Sequence, residues 1–233
     1  MIDIICILII GIYTYLGWKR GIIRSAVSLI GTFVVCILSW TLKDVLASFL
    51  IEKMPFFNFA GIFNGISAIN ILIYQVISFV IIFVVLYCLL NIVINLSKIV
   101  DKLIKLTLVF ALPSKILGAI LGLIEGIVTA FLLIFVLFHV PFTTSMVNDS
   151  KLGLIILERT PIIGNLSVPT TLSLEEIERI IANDQGSNDI ETKNLKVLHT
   201  LISYKLITAE DAQKLIDSDK MHFNNTIMFN QGG

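Results

Sequence analysis

Four long apolar stretches constrain this chain more than any other feature of its sequence. They cover about residues 2–18, 22–42, 70–96 and 115–140. A helix of about 20 apolar residues spans the hydrocarbon core of a bilayer, so these stretches have the length of membrane-crossing segments. Charged residues make up 15% of the chain, well under the roughly 25% of ordinary soluble domains. The sequence therefore predicts an all-α fold, a polytopic membrane bundle of about four transmembrane helices.

The composition turns polar after Pro141, which predicts two domains. Residues 1–140 form the transmembrane four-helix region, and residues 141–233 form a soluble, mostly helical C-terminal tail. The first domain holds nine Lys and Arg against five Asp and Glu, whereas the tail holds eight against twelve. The whole chain has a net charge of zero, but its membrane part is basic and its tail is acidic.

The tail divides further into short segments. Residues 150–159 are apolar enough to rest on the membrane or on the bundle. A helix over about 191–205 and another that begins at Thr208, with Asp211 three residues later, predict a hairpin with an apolar seam. We expect an unidentified protein partner to bind this hairpin, residues 191–217.

Basic residues between the apolar stretches predict the topology. The loop between the first two stretches and the loop between the last two are rich in Lys and Arg, so both are expected in the cytoplasm. This places the N-terminus, the second loop and the tail outside. The predicted topology and lipid-contact residues are Trp18, Lys19, Arg20 and Arg24. Because the basic residues are confined to short stretches beside apolar runs, no nucleic-acid partner is expected.

Two connecting segments are too apolar for ordinary loops. The second loop, residues 54–67, is broken by Pro55, Gly61 and Gly65, and we expect it to lie in the membrane interface or to dip back into the bundle. In the third loop, residues 98–106 place charges at helical spacing among apolar residues, which predicts a helix along the cytoplasmic surface.

Small residues recur at intervals of four in the last apolar stretch. The predicted helix-packing residues are Ser114, Gly118, Gly122, Gly126 and Ala130. Helices in lipid associate through close packing, and such a row lets a neighbouring backbone approach closely. The row predicts contact with another helix of the same chain or with the same helix of a second copy, that is, a homo-oligomer.

Glu125 lies beside this row, about ten residues and hence roughly 15 Å from the basic boundary at Lys115. An ionisable residue at that depth is expected to face the bundle interior and to have a partner. The predicted buried polar partners are Asn91 and Asn95, with Arg24 as a third candidate. The acid either makes a structural hydrogen bond or takes part in moving protons or ions. Inter-helix hydrogen bonds, rather than a polar pore, are expected for the polar side chains of the second and third stretches, which are Ser25, Ser28, Thr32, Ser39, Gln75 and Ser78.

No pattern indicates an enzyme. His139, His199 and His222 are isolated, and Cys6, Cys36 and Cys88 lack the spacing of a metal site or disulfide framework. Nucleophile, zinc and phosphate-binding motifs are not found in the sequence. We therefore expect no catalytic residue, no cofactor and no metal.

Short glycine motifs follow one another in a recognisable order. They are Asp3 before the first helix, Gly17-x-x-Arg20-Gly21 after it, Ser28-Leu29-Ile30-Gly31 in the second helix, and Gly118-x-x-x-Gly122-x-x-x-Gly126 in the fourth. This order resembles the bacterial colicin V production protein family over roughly residues 1–140. The family-motif residues are Gly17, Arg20, Gly21, Gly118, Gly122 and Gly126. The Asp-Arg pair that often precedes the fourth-helix glycines in the family is Ser114-Lys115 here.

The resemblance implies a multi-pass protein of the bacterial plasma (inner) membrane, linked to toxin production and to envelope homeostasis. It supplies no catalytic residue. We expect a non-enzymatic scaffold or accessory factor of toxin production and export, in contact with membrane lipids, whose tail binds a protein. The alternative is a small oligomeric channel or transporter in which Glu125 lines the path.

Overall fold

The protein is built from helices throughout the part of the chain that its computed structural model describes. That part comprises residues 2–58, 65–96, 111–138, 140, 143–159, 172–173, 175–177, 179–182, 190–217 and 220–221. The helices are α1 (Ile2–Arg20), α2 (Ile22–Lys53), α3 (Ile69–Leu96), α4 (Ala111–Phe138), α5 (Thr144–Asn148), α6 (Lys151–Arg159), α7 (Ile190–Ser203) and α8 (Ala209–Asp217). Residues 172–173, 175–177 and 179–182 are also helical.

The predicted fold class is confirmed, because α1, α2, α3 and α4 are each long and apolar enough to cross a membrane. The second helix is longer than its apolar stretch and continues to Lys53. Its extension buries Ala47, Leu50 and Ile51, a spacing that keeps one apolar face along a helix. The charges at Lys43 and Asp44 interrupt the hydrophobic run without ending the helix.

A tight connection joins α1 to α2. Gly21 adopts a positive φ of 77°, which glycine accepts without steric cost. Its N–H donates to the Gly17 carbonyl at 3.0 Å, and its own carbonyl accepts from the Ser25 N–H at 3.1 Å. The chain therefore reverses direction within a single non-helical residue, and α1 and α2 form a hairpin.

The fourth helix is the most buried of the four long ones. Half of its apolar span is buried, whereas the corresponding share in the other three is 17% to 28%. Phe131, Ile134 and Ala130 are among the residues on α4 that are fully buried. A continuous band of buried residues on α4 thus organises the bundle.

The chain forms two compact units. The first comprises residues 1–42 and 79–164, and the second comprises residues 43–78 and 165–233. They do not divide the chain at residue 140, because α2 and α3 each contribute residues to both units. The division into a transmembrane region 1–140 and a soluble tail 141–233 stays a prediction.

The second unit contains the predicted tail hairpin. Helices α7 and α8 bury an apolar seam that consists of Val197, Leu198, Leu201, Ile207, Ala212 and Leu215. The N-terminal cap predicted at Thr208 is confirmed, because its Oγ1 accepts a hydrogen bond from the Asp211 N–H at 3.0 Å. The surface helix predicted at 98–106, most of the broken part of the second loop, His139 and His222 lie outside the described residues.

Candidate functional site

The small-residue row of α4 packs directly against the backbone of α1. A Cβ added at Gly122 would collide with the Tyr13 carbonyl oxygen and lie 3.0 Å from the Cα of Gly17. A Cβ at Gly126 would lie 2.9 Å from the Cα of Ile10. Real Cβ atoms do not come this close to backbone, so only glycine permits this separation of the two helices.

The contact is reciprocal at the α1–α2 connection. A Cβ at Gly17 would lie 2.9 Å from the Cα of Gly122, and one at Gly118 would lie 2.9 Å from the Cα of Gly21. Ser114 accepts the Ile22 N–H at 3.2 Å, which satisfies a free donor at the start of α2. Five of the six family-motif residues, all except Arg20, therefore take part in this close contact between α4 and the backbone of α1 and Gly21. The chain's own α1 covers this face of α4, and a homo-oligomer stays a prediction.

Glu125 lies inside the bundle with 1% of its side chain exposed. Its Oε1 accepts a hydrogen bond from the Ser28 hydroxyl at 2.6 Å and a longer one from Thr32 at 3.4 Å. The Arg20 guanidinium lies 3.9 Å from Oε2 and donates to the Ser28 Oγ at 3.1 Å. These four residues, which we call the Glu125 cluster, connect α1, α2 and α4.

The prediction that Asn91 and Asn95 are buried partners of Glu125 is wrong. The Asn91 amide donates to the Tyr87 carbonyl of its own helix at 2.9 Å, and Asn95 is exposed. The acid turns toward α2, where the hydroxyls of Ser28 and Thr32, one helical turn apart, both donate to its Oε1. The predicted inter-helix hydrogen bonds are present at Ser25, Ser28, Thr32 and Gln75. The prediction is wrong for Ser39, which donates to the Val35 carbonyl of its own helix, and for Ser78, which has no hydrogen-bond partner among the described residues.

Of the predicted topology residues, Arg20 is the one that the structure brings into the Glu125 cluster. One fifth of its side chain is exposed, so it reaches from the end of α1 into the interior. Trp18 is exposed, and the Lys19 ammonium lies 4.7 Å from the centre of the Tyr15 ring. Arg24 is half-buried on α2. Exposed Trp18 and Lys19 suit the predicted interfacial position.

Two polar contacts of the first unit were not predicted. In the first, the hydroxyls of Tyr13 and Tyr87 lie 2.8 Å apart and join α1 to α3.

The second contact joins the start of α1 to α6. The Asp3 carboxylate accepts hydrogen bonds from the Ser150 hydroxyl at 2.6 Å and from the Leu152 N–H at 3.0 Å. Asp3 thus satisfies a free donor in the first turn of α6 and holds that helix at the start of α1. Asp3 belongs to the family motif, but nothing in the spacing of that motif indicates a partner 147 residues away.

In the second unit, the tail is fastened to the connection between α2 and α3. The buried Asn194 accepts the Ala68 N–H at 3.0 Å and donates to the Gly65 carbonyl at 3.0 Å. Lys220 donates to the carbonyl of Glu52 in the last turn of α2 at 2.9 Å and to that of Met54, just after the helix, at 2.8 Å. Burial lowers the pKa of Lys220. We call this set of hydrogen bonds the tail clasp.

The tail also carries an open groove of about 640 Å³. Its lining residues are Leu172, Glu175, Glu176, Arg179, Ile180, Lys196 and Tyr204. A hydrogen bond to Glu176 raises the pKa of the Tyr204 hydroxyl. The groove combines charges of both signs with apolar side chains, as the rim and core of protein interfaces do.

These arrangements define a class of protein. The hydrogen-bonded acid, the glycine contact and the four long apolar helices are those of a multi-pass membrane helix bundle with internal polar bonds. Residues 2–161 match the family model described as Colicin V production protein, so the chain belongs to that family. The predicted resemblance is confirmed, and the match extends past Pro141 to residue 161. Family membership supports a role in toxin production. No curated protein and no solved structure matches the chain.

Proposed function

We propose that this protein is a non-enzymatic scaffold or accessory factor of toxin production and export, or of envelope homeostasis, in the bacterial plasma membrane. The four helices anchor it in the bilayer, and the tail presents a docking platform for a protein partner. The observation that carries the proposal is the tail clasp. A tail that is fastened to the chain's own α2–α3 connection by buried hydrogen bonds has the fixed position that a platform requires.

The groove of the tail is the proposed partner site. Arg179 and Lys196 on its lining would meet acidic side chains, and Leu172 and Ile180 would cover apolar ones. A protein segment suits this lining better than a metabolite, because the groove is wide and open.

Affinity purification from native membranes tests the platform. A protein that co-purifies with the full chain should be lost, or reduced at least tenfold, when Arg179 and Lys196 are both replaced by Ala. The matched control is Lys214→Ala, which removes an exposed lysine of the same tail that pairs with Glu210 outside the groove. Equal recovery with both variants would reject the groove as the partner site.

A channel or transporter is the second candidate, and the Glu125 cluster favours it. A buried carboxylate that contacts hydroxyls and a partly exposed guanidinium is a known arrangement in proton pathways. Proton flux into vesicles that contain the purified protein, compared between the native chain and Glu125→Ala, distinguishes the two functions. Flux that depends on Glu125 would replace the scaffold proposal.

The proposed orientation places the N-terminus and the tail outside the cytoplasm, following the basic loops. A cysteine at the exposed Glu210 position should react with an impermeant maleimide in whole cells, whereas one at Lys19 should not. The native cysteines all lie in the long helices, and the unsubstituted chain measures their background. Labelling at position 19 alone would reverse the orientation.

A further inference from the structure

A second polar cluster lies on α2 and α3, apart from the Glu125 cluster. Lys43 is 8% exposed, Gln75 is 7% exposed and Ser78 is fully buried. The Lys43 ammonium donates to the Gln75 Oε1 at 3.4 Å and to the Asp44 carboxylate at 2.7 Å. Asp44 itself is 56% exposed. A buried cation and an accessible anion are therefore adjacent on one helix.

Ser78 is unusual within this cluster. Its hydroxyl is buried and has no hydrogen-bond partner among the described residues. It follows Gln75 by three positions, so the two side chains lie on the same face of α3. A buried hydroxyl without a partner destabilises the folded protein. An acceptor supplied by a ligand would remove that cost.

The position of the cluster along α2 indicates the membrane interface. Lys43 follows Ile22 by 21 residues, which corresponds to about 32 Å along a helix, close to the roughly 30 Å of the hydrocarbon core. Helix α2 begins at Ile22, immediately after the connection that follows the basic residues at the end of α1. Lys43 and Asp44 are thus expected at the opposite interface, where phospholipid headgroups lie.

We propose that this cluster binds the headgroup of a zwitterionic phospholipid that carries a primary ammonium. The phosphate would accept hydrogen bonds from Lys43, the Gln75 amide and the Ser78 hydroxyl. The ammonium of the lipid would pair with the exposed Asp44 carboxylate. The internal Lys43–Asp44 pair is then exchanged for two pairs with the lipid, so the net charge of the site does not change.

Thermal unfolding and native mass spectrometry of the full chain in mild detergent test this site. Added phosphatidylethanolamine should raise the unfolding temperature and remain bound more than phosphatidylcholine or phosphatidylglycerol with the same acyl chains. Lys43→Gln should weaken retention of phosphatidylethanolamine by tenfold or more, because a charge-assisted hydrogen bond is lost. Lys53→Gln is the matched control, since it removes an exposed lysine that pairs with its neighbour Glu52 on the same helix.

Ser78→Ala keeps the proposal testable if Lys43→Gln fails to fold. A merely unpaired hydroxyl predicts an unchanged or more stable protein with normal lipid retention, whereas the proposed site predicts severalfold weaker retention. Equal stabilisation by phosphatidylglycerol would overturn the pairing with Asp44. Equal stabilisation by water-soluble phosphoethanolamine at the same concentration would overturn a lipid ligand. Retention that is unchanged in both variants would overturn the site.

Discussion

Replacing Gly122 by Ala should destabilise the bundle far more than the same change at Gly11. The new methyl group at position 122 would meet the Tyr13 carbonyl oxygen and the Cα of Gly17 at 3.0 Å. Both neighbours are backbone atoms, which cannot rotate away as a side chain can, so α1 and α4 must separate. Gly11 is the matched control, because a Cβ there has no atom within 4 Å.

The magnitude follows from the cost of overpacking. Forcing an extra methyl group into a close-packed contact costs typically about 1–3 kcal/mol, and backbone on both sides places Gly122→Ala near the upper end. A loss of about 3 kcal/mol lowers the ratio of folded to unfolded protein by roughly 150-fold. Gly11→Ala should change stability by less than about 0.5 kcal/mol, or raise it slightly, because alanine favours the helix.

Unfolding of the purified protein by increasing SDS in mild detergent measures both variants on one scale. The Gly17→Ala and Gly122→Ala changes should also be strongly non-additive when combined, because the two residues contact each other. Equal midpoints for Gly122→Ala and Gly11→Ala would refute the close approach of α1 and α4.

Substitutions at three further residues test single contacts. Glu125→Gln retains an acceptor for Ser28 and should lower the free energy of unfolding by less than about 1 kcal/mol, whereas Glu125→Ala should lower it by about 2–3 kcal/mol. SDS unfolding measures both variants, and equal losses of stability would contradict a hydrogen-bonding role. Asp3→Ala should lower the free energy of unfolding by about 1 kcal/mol, because it removes the contact to α6. The control Asp149→Ala, at an exposed position, should leave stability unchanged. Asn194→Ala should make the tail at least tenfold more sensitive to limited proteolysis, because the buried N–H of Ala68 loses its acceptor, whereas Glu210→Gln should leave digestion unchanged.

The membrane bundle could be predicted from the sequence because hydrophobic length and glycine spacing are local signals. The four apolar stretches and the four-residue period of Gly118, Gly122 and Gly126 require no knowledge of distant contacts. The continuation of α2 to Lys53 was missed, because a window of hydropathy ends at charges whereas a helix does not.

The partners of Glu125 could not be predicted, because they depend on how helices rotate about their axes. Asn91 had the right chemistry and approximate depth, but its amide bonds within its own helix. The position of Arg20 in the sequence indicates a topology signal, although the turn at Gly21 also places this residue beside Ser28. The tail clasp joins residues more than 120 positions apart, and no local pattern encodes such a pair.

Toxin secretion by producing cells tests the proposed platform function most directly. Cells should carry the native chain, the Arg179→Ala and Lys196→Ala double variant, the Lys214→Ala control or Glu125→Gln, at matched amounts of protein in the membrane. The scaffold function predicts that the double variant lowers secreted toxin activity at least tenfold, while the control and Glu125→Gln secrete normally. Normal secretion by the double variant together with loss in Glu125→Gln would contradict the scaffold and favour transport through the bundle.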